Sequence, residues 1–277
     1  MRIRRSKPFI NIQPGPSRGE SIVFELNANN ALSMVGHDDS KLERWADIAG
    51  NYYAPEFING FSYQHAGNDG PQVWVRINRR GPVLEGRIEV CRLKPNFAYQ
   101  LKLMGDFDDR AGFERIGELG RWRLPGQQTN YTDRDYYDFS DKAAVEAYIL
   151  FDFIITDRAG NAVRNFALDS SLHVLWNAVR QSYDKEPVSP ERMVRVLVDA
   201  ADPWIYARPK LDVSTEEIWA EREHARYRHE NSVIRLPPGN YRAVLALTEE
   251  SMHSLDRDGG YWATVFTVPI KFEITPP

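Results

Sequence analysis

Cysteine is almost absent from this chain, with Cys91 the only one among 277 residues. A single cysteine cannot form a disulfide within the chain, so a disulfide framework is excluded. Cys91 lies in the apolar run Ile88–Cys91, which predicts a small core side chain rather than a reactive nucleophile.

Long apolar runs and an excess of one charge are also missing. No stretch of about eighteen apolar residues occurs, so we expect no membrane-spanning helix. The formal net charge is only −4, so we expect no nucleic-acid partner. A basic start is not followed by an apolar segment, so we expect no signal peptide in the sequence as given, and the compartment stays open.

Catalytic motifs with a fixed spacing are absent as well. The sequence has no Gly-x-Ser-x-Gly elbow, P-loop, dinucleotide-binding glycine motif, His-Glu-x-x-His or paired-cysteine metal motif. This favours a binding role over the enzyme classes that these motifs mark.

What the sequence does contain is a regular strand pattern. Gln72–Ile77, Tyr99–Leu103 and Tyr241–Leu247 alternate apolar and polar residues, as half-buried strands do. Ala147–Thr156 is the most apolar run, rich in aromatic and β-branched residues, and predicts a central strand. We therefore expect a mainly β protein, an antiparallel β-sandwich of the immunoglobulin-like or jelly-roll-like kind, in a single domain over residues 21–277.

Two turns of this chain share one pattern, a leucine followed by a rigid turn and a tyrosine. They are Leu93-Lys94-Pro95-Asn96-Phe97-Ala98-Tyr99 and Leu236-Pro237-Pro238-Gly239-Asn240-Tyr241. The pattern resembles the tyrosine-corner turns of immunoglobulin-like and fibronectin-type sandwiches. The resemblance implies a fold but no particular activity, because such sandwiches host many unrelated functions.

Two regions depart from the strand pattern. Residues 1–20 are predicted to be an extended basic arm, either a disordered terminus or a clamp that docks on another subunit. Residues 184–232 are predicted to be a helical insertion. Ser189-Pro190 favours the start of a short helix, and the capping box Ser214–Glu217 favours a helix that runs to about His229.

Acidic turns and histidines supply the candidate metal ligands. Carboxylate-rich turns can provide the several oxygen ligands that calcium takes, although solvated turns have the same composition. Histidines beside carboxylates could hold a transition metal, or could be hydrogen-bonded structural residues. The candidate ligands are Asp106, Asp108, Asp109, His173, Glu249 and His253. Glu249 and Glu250 should point to opposite faces of an extended segment, which argues against an acid–base pair formed by those two alone.

Aromatic residues crowd the loop-rich segments, where they could form a platform for a sugar ring or a protein partner, or pack on a satellite core. The candidate ligand-binding residues are Trp45, Tyr53, Trp122, Tyr136 and Tyr137. We expect a non-catalytic binding or assembly module, whose loops and N-terminal arm engage a protein partner or another copy. The alternatives are a carbohydrate-binding sandwich with structural calcium and a metal-dependent enzyme that uses His173 or His253 with nearby carboxylates.

Overall fold

The computed structural model describes residues 21–25, 45–61, 63, 70–125, 132–174, 176–183, 190–198, 203–207, 214–222, 234–254 and 262–277. The predicted basic arm, residues 1–20, lies outside the described residues. The described chain is mainly β, which confirms the predicted class. None of the described helices is long and apolar enough to cross a membrane.

Fifteen strands are found among the described residues. They are β1 (Ser21–Glu25), β2 (Gln72–Asn78), β3 (Arg80–Gly81), β4 (Glu85–Cys91), β5 (Ala98–Gly105), β6 (Arg121–Arg123), β7 (Glu146–Ile155), β8 (Ala162–Ala167), β9 (Leu172–Val174), β10 (Trp176–Asn177), β11 (Ser182–Tyr183), β12 (Pro190–Val198), β13 (Ser214–Arg222), β14 (Gly239–Glu250) and β15 (Trp262–Ile274). The α-helices are α1 (Pro55–Gly60), α2 (Arg110–Leu119) and α3 (Asp133–Asp138), and single 3₁₀ turns cover Lys142–Ala144, Pro203–Ile205 and Ser251–His253.

The two larger sheets share one hydrophobic core. Their strand orders are β1-β2-β4-β8 and β3-β15-β14-β5-β7-β6, with antiparallel pairing except between β3 and β15. Val75 and Ile88 of the first sheet belong to the same buried cluster as Leu101 and Leu245 of the second. Alternate residues of these strands therefore face a common interior, as the period-two pattern requires.

The six-stranded sheet is covered on its other face as well. A second buried cluster there joins Ala98 of β5 and Phe153 of β7 to Ile48, Trp176 and Met252. Two smaller sheets, β12-β13-β9 and β10-β11, complete the described strands. As a result, β5 and β7 bury side chains on both faces, and β7 lies inside the sheet between β5 and β6, as predicted.

Both corner turns close through their tyrosine. The Tyr241 hydroxyl donates a hydrogen bond to the carbonyl of Pro237 at 2.8 Å. The Tyr99 hydroxyl accepts one from the backbone N–H of Lys94 at 2.9 Å. Each tyrosine thus fixes the backbone a few residues upstream, as in the tyrosine-corner turns that the sequence pattern resembles.

The helix predictions within residues 184–232 are wrong where the structure describes this region. Pro190–Val198 and Ser214–Arg222 are antiparallel strands, with Val194 opposite Ile218. A helix cap contributes only about 1 kcal/mol, and here the pairing of β13 with the nine-residue β12 on one side and with β9 on the other outweighs it. Residues 223–229 of the predicted second helix lie outside the described residues.

Candidate functional site

The predicted aromatic ligand-binding residues are mostly core residues. Trp45, Tyr53, Trp122 and Tyr136 are buried, whereas Tyr137 is about half exposed. Trp122 and Tyr136 stack on each other at 3.7 Å between ring centroids, beside α2. These four rings pack the interior rather than present a surface to a ligand.

The acidic turn before α2 is engaged by protein groups. Arg242 of β14 places its guanidinium 3.0 Å from Asp106 and 3.6 Å from Asp108. Asp109 caps α2 by accepting from the N–H of Gly112 at 3.2 Å, and also accepts from the backbone N–H of Arg242 at 2.9 Å. The carboxylates predicted to bind calcium therefore contact the guanidinium of Arg242 or accept hydrogen bonds from the backbone of α2 and β14.

The two candidate histidines lie in different surroundings. His173 on β9 accepts a hydrogen bond from Arg121 through Nδ1. His253 is fully buried, donates through Nδ1 to the carbonyl of Ala46 at 2.7 Å and accepts from the N–H of Ala98 at 3.1 Å. Among the described residues, no group of three or more His, Cys, Asp and Glu side chains is arranged to hold a metal ion.

His253 is held as a neutral imidazole. Nδ1 lies against the Ala46 carbonyl, and Nε2 lies 3.1 Å from the Ala98 nitrogen and 3.2 Å from the Ala98 carbonyl oxygen, so the neutral tautomer protonated at Nδ1 pairs with the Ala46 carbonyl and the Ala98 N–H without a buried charge. The ring also stacks on Phe97 at 3.5 Å between centroids. Burial lowers the pKa of His253 to about 3, so the predicted metal ligand is a structural core histidine.

Lys94 and Glu249 form a buried ion pair at the end of β14. Lys94 Nζ lies 2.6 Å from Glu249 Oε1, and the side chains are 2% and 0% exposed. The same oxygen accepts a hydrogen bond from the Tyr63 hydroxyl, which lies 2.9 Å from the Tyr99 hydroxyl. Burial raises the pKa of both tyrosines well above the ordinary value, so both remain protonated donors.

Aromatic rings enclose the Lys94 ammonium group. Nζ lies 4.5 Å from the ring centroid of Trp45, 5.2 Å from Phe97, 5.6 Å from Tyr63 and 5.7 Å from Phe61. Such rings attract a cation through their negative faces. Burial nonetheless lowers the pKa of Lys94, and the nearby Glu249 carboxylate opposes this shift.

A second buried pair lies on the opposite face of the same sheet. Lys102 Nζ is 2.5 Å from Glu250 Oε1, which also accepts from the Thr248 hydroxyl at 2.8 Å. The Trp262 ring covers the ammonium at 3.2 Å from its centroid. Burial lowers the pKa of Lys102 to about 8, against the effect of Glu250.

The described surface carries a cluster of aromatic side chains around Trp204, which is 66% exposed. The ring of Phe57 on α1 lies edge-on to the Trp204 ring, with 6.4 Å between the ring centroids. The Phe61 ring is tilted against the Phe57 ring, with 5.8 Å between their centroids. Beneath them, Tyr53 stacks on Tyr206 at 5.5 Å. We call Phe57, Phe61 and Trp204 the Trp204 patch.

The Trp204 patch has a firm backbone base. The N–H of Ala54 donates to the carbonyl of Ile205 at 2.7 Å, and Tyr53 and Tyr206 form a β-bridge. Two exposed polar residues of α1, Glu56 and Asn59, lie in the same helix as Phe57. The patch is therefore a pre-formed apolar surface on a helix that also carries the exposed carboxylate of Glu56.

Sequence reasoning missed both the Trp204 patch and the two lysines. Trp204 falls in a region predicted to be a helical insertion, although Asp202-Pro203 just before it favours a turn. Lys94 and Lys102 look like ordinary surface lysines, because their partners lie 155 and 148 residues away.

No family model, curated protein or solved structure matches this chain.

Proposed function

We propose that this chain is a non-catalytic binding module that assembles with further copies of itself through the Trp204 patch. The observation that carries the proposal is the 66% exposure of Trp204 on a base of packed aromatic rings. Tryptophan is enriched among the residues that dominate binding energy at protein interfaces.

The rigidity of the patch supports a role in recognition. Phe57 holds the Trp204 ring from one side, and the Ala54–Ile205 hydrogen bond fixes the backbone next to it. A side chain that is already ordered loses little conformational entropy when a partner covers it. An exposed and pre-ordered tryptophan thus gains more from burial than a mobile one.

The partner we propose is the N-terminal arm of a second copy. That segment contains Phe9 and Ile10 close to Lys7, so it combines apolar side chains with positive charge. The Trp204 patch combines apolar rings with the exposed carboxylate of Glu56 on α1. Apolar burial flanked by opposite charges gives both affinity and register.

We further propose that the two larger sheets pack as an immunoglobulin-like sandwich. The shared core of the two sheets and the Tyr241–Pro237 hydrogen bond at the second corner support this arrangement. In such modules the sheets hold the loops in place, and the loops carry recognition.

Light scattering on the full chain over a range of concentrations tests the proposal. We expect concentration-dependent self-association, weakened about tenfold or more both by Trp204→Ala and by deletion of residues 1–20. Val163→Ala, at another exposed apolar residue, is the matched control and should leave assembly unchanged.

A protein that stays monomeric at all concentrations would overturn the proposal, as would assembly that Trp204→Ala leaves intact. A monomer retained on immobilised glycans, with retention lost in Trp204→Ala, would instead support the carbohydrate-binding alternative.

A further inference from the structure

The contact between Lys94 and Glu249 suits a covalent bond as well as an ion pair. We propose that the Lys94 amine condenses with the Glu249 carboxyl group to form an amide cross-link inside the protein. The link would join the turn before β5 to the end of β14. It is independent of the proposed binding function.

Proximity is the first support for this reaction. The two reacting groups are held 2.6 Å apart between Nζ and Oε1 by elements 155 residues distant in the sequence. Fixing two reactants in contact removes most of the entropic cost of bringing them together. The corner hydrogen bond from the Lys94 N–H to Tyr99 holds the lysine backbone in place.

Enclosure is the second support. Both side chains are almost completely inaccessible to water, and four aromatic rings surround the amine. Two opposite charges are costly to bury, and proton transfer within the pair gives a neutral amine and a neutral acid. The neutral amine is the nucleophile, and the lowered pKa of Lys94 favours it.

The tyrosine next to the pair can move the proton that the reaction requires. This tyrosine is Tyr63, whose hydroxyl contacts Glu249 Oε1 and is hydrogen-bonded to the Tyr99 hydroxyl. In the reaction a bond forms between Lys94 Nζ and the Glu249 carboxyl carbon, and a carbon–oxygen bond breaks. The departing hydroxyl and one amine proton leave together as water, so no oxidant or other reactant is needed.

The second ion pair provides an internal comparison. Glu250 is 11% exposed in its side chain, and its Oε1 also accepts from Thr248. Its lysine partner, Lys102, is covered by the indole ring of Trp262. Water can reach this carboxylate, and the hydrogen bonds described for it come from Lys102 and Thr248 rather than from a tyrosine hydroxyl, so we expect this pair to remain ionic.

Mass spectrometry of the intact, denatured full chain tests the proposal. We expect the wild-type chain to be lighter than its sequence mass by one water molecule, and a protease digest to contain a branched peptide that joins Lys94 to Glu249. The Lys94→Met chain should have the full mass of its own sequence. The Lys102→Met chain should still be lighter than its own sequence mass by one water molecule. Tyr63→Phe should leave a larger fraction of the chain unlinked.

A wild-type chain at its full sequence mass would overturn the proposal, as would a water loss that maps to other residues or persists in Lys94→Met. Because the mass and the digest of the wild-type chain decide the question, a Lys94→Met variant that failed to fold would not hide the answer.

Discussion

Glu249 and Glu250 are neighbours on β14, yet each is paired with a different lysine on a different face of the sheet. Glu249 contacts Lys94 in the core between the two larger sheets, and Glu250 contacts Lys102 on the far face. Side chains alternate along a strand, so two adjacent carboxylates can stabilise both faces at one point. The end of β14 is thereby fixed from both sides.

Removal of only one member of the Lys102–Glu250 pair should strongly destabilise the protein. Lys102→Met leaves a largely buried carboxylate without its cation, so we expect the free energy of unfolding to fall by about 3–5 kcal/mol. The double variant Lys102→Met/Glu250→Leu should recover most of this loss, because two apolar side chains leave no buried charge. Urea denaturation followed by circular dichroism measures both changes.

An exposed ion pair is the control for this prediction. Arg134 and Asp138 form an i,i+4 pair on α3 with side chains 89% and 72% exposed. Arg134→Ala should leave the free energy of unfolding nearly unchanged, because solvent screens exposed pairs. Equal losses in Arg134→Ala and Lys102→Met would contradict the argument that burial makes the difference.

The buried histidine should make the protein sensitive to acid. The pKa of His253 is about 3 in the folded protein and near 6.5 in the unfolded chain. Between these values the unfolded chain binds a proton that the folded protein does not. The stability due to the neutral ring is therefore present above about pH 6.5 and is lost as the pH falls towards 3.

His253→Gln tests this dependence, because glutamine can still supply one donor and one acceptor but does not titrate. We expect the free energy of unfolding of the variant to vary less than that of the wild type between pH 6.5 and 3. Burial raises the pKa of Asp47 to about 6, which acts in the opposite direction but is present in both proteins. Parallel pH profiles for the two proteins would refute the prediction.

The sequence was sufficient to predict the strands that bury one or both faces. Tyr99–Leu103 and Tyr241–Leu247 alternate clearly and form parts of β5 and β14. The corner tyrosines could also be predicted, because proline and glycine restrict the turn geometry locally. The alternation and the turn residues are local signals that can be recognised without knowing which strands pair.

The ion pairs could not be predicted, since they depend on how distant segments pack. Alternation along Tyr99–Leu103 places Lys102 on the side opposite Leu101, which a two-layer fold would expose to water. A second hydrophobic cluster that includes Ile48 and Met252 covers that face instead. Trp45 likewise lies against Lys94 rather than at the surface, because it packs into the first core cluster between the two larger sheets.

The acidic turn before α2 should contribute to stability through one carboxylate in particular. Asp109 accepts from the N–H of Gly112 and from the backbone N–H of Arg242. Asp109→Ala removes the helix cap and the link to β14, so we expect the free energy of unfolding to fall by about 1 kcal/mol or somewhat more. Thermal and urea unfolding measure the loss. Asp108→Ala, at a side chain 78% exposed, is the control, and an equal loss there would argue against the capping role.

The glycine next to the first corner turn should not tolerate a side chain. Gly160 has φ +76°, and a Cβ atom there would collide with the carbonyl oxygen of Leu93. The Leu93 N–H also donates to the Gly160 carbonyl at 3.0 Å, so the clash would displace the backbone that leads into Lys94. We expect Gly160→Ala to lower the free energy of unfolding by about 1–3 kcal/mol.

Gly60→Ala is the matched control for the Gly160 substitution, because a Cβ at Gly60 meets no atom within 4 Å. It adds the same methyl group at the end of α1 and should change the midpoint of urea unfolding little. If the two variants unfolded at the same urea concentration, the close approach of Gly160 to Leu93 would not restrict this turn. A larger loss in Gly160→Ala would tie the stability of the corner, and with it the position of Lys94, to the positive φ of Gly160 and its close approach to Leu93.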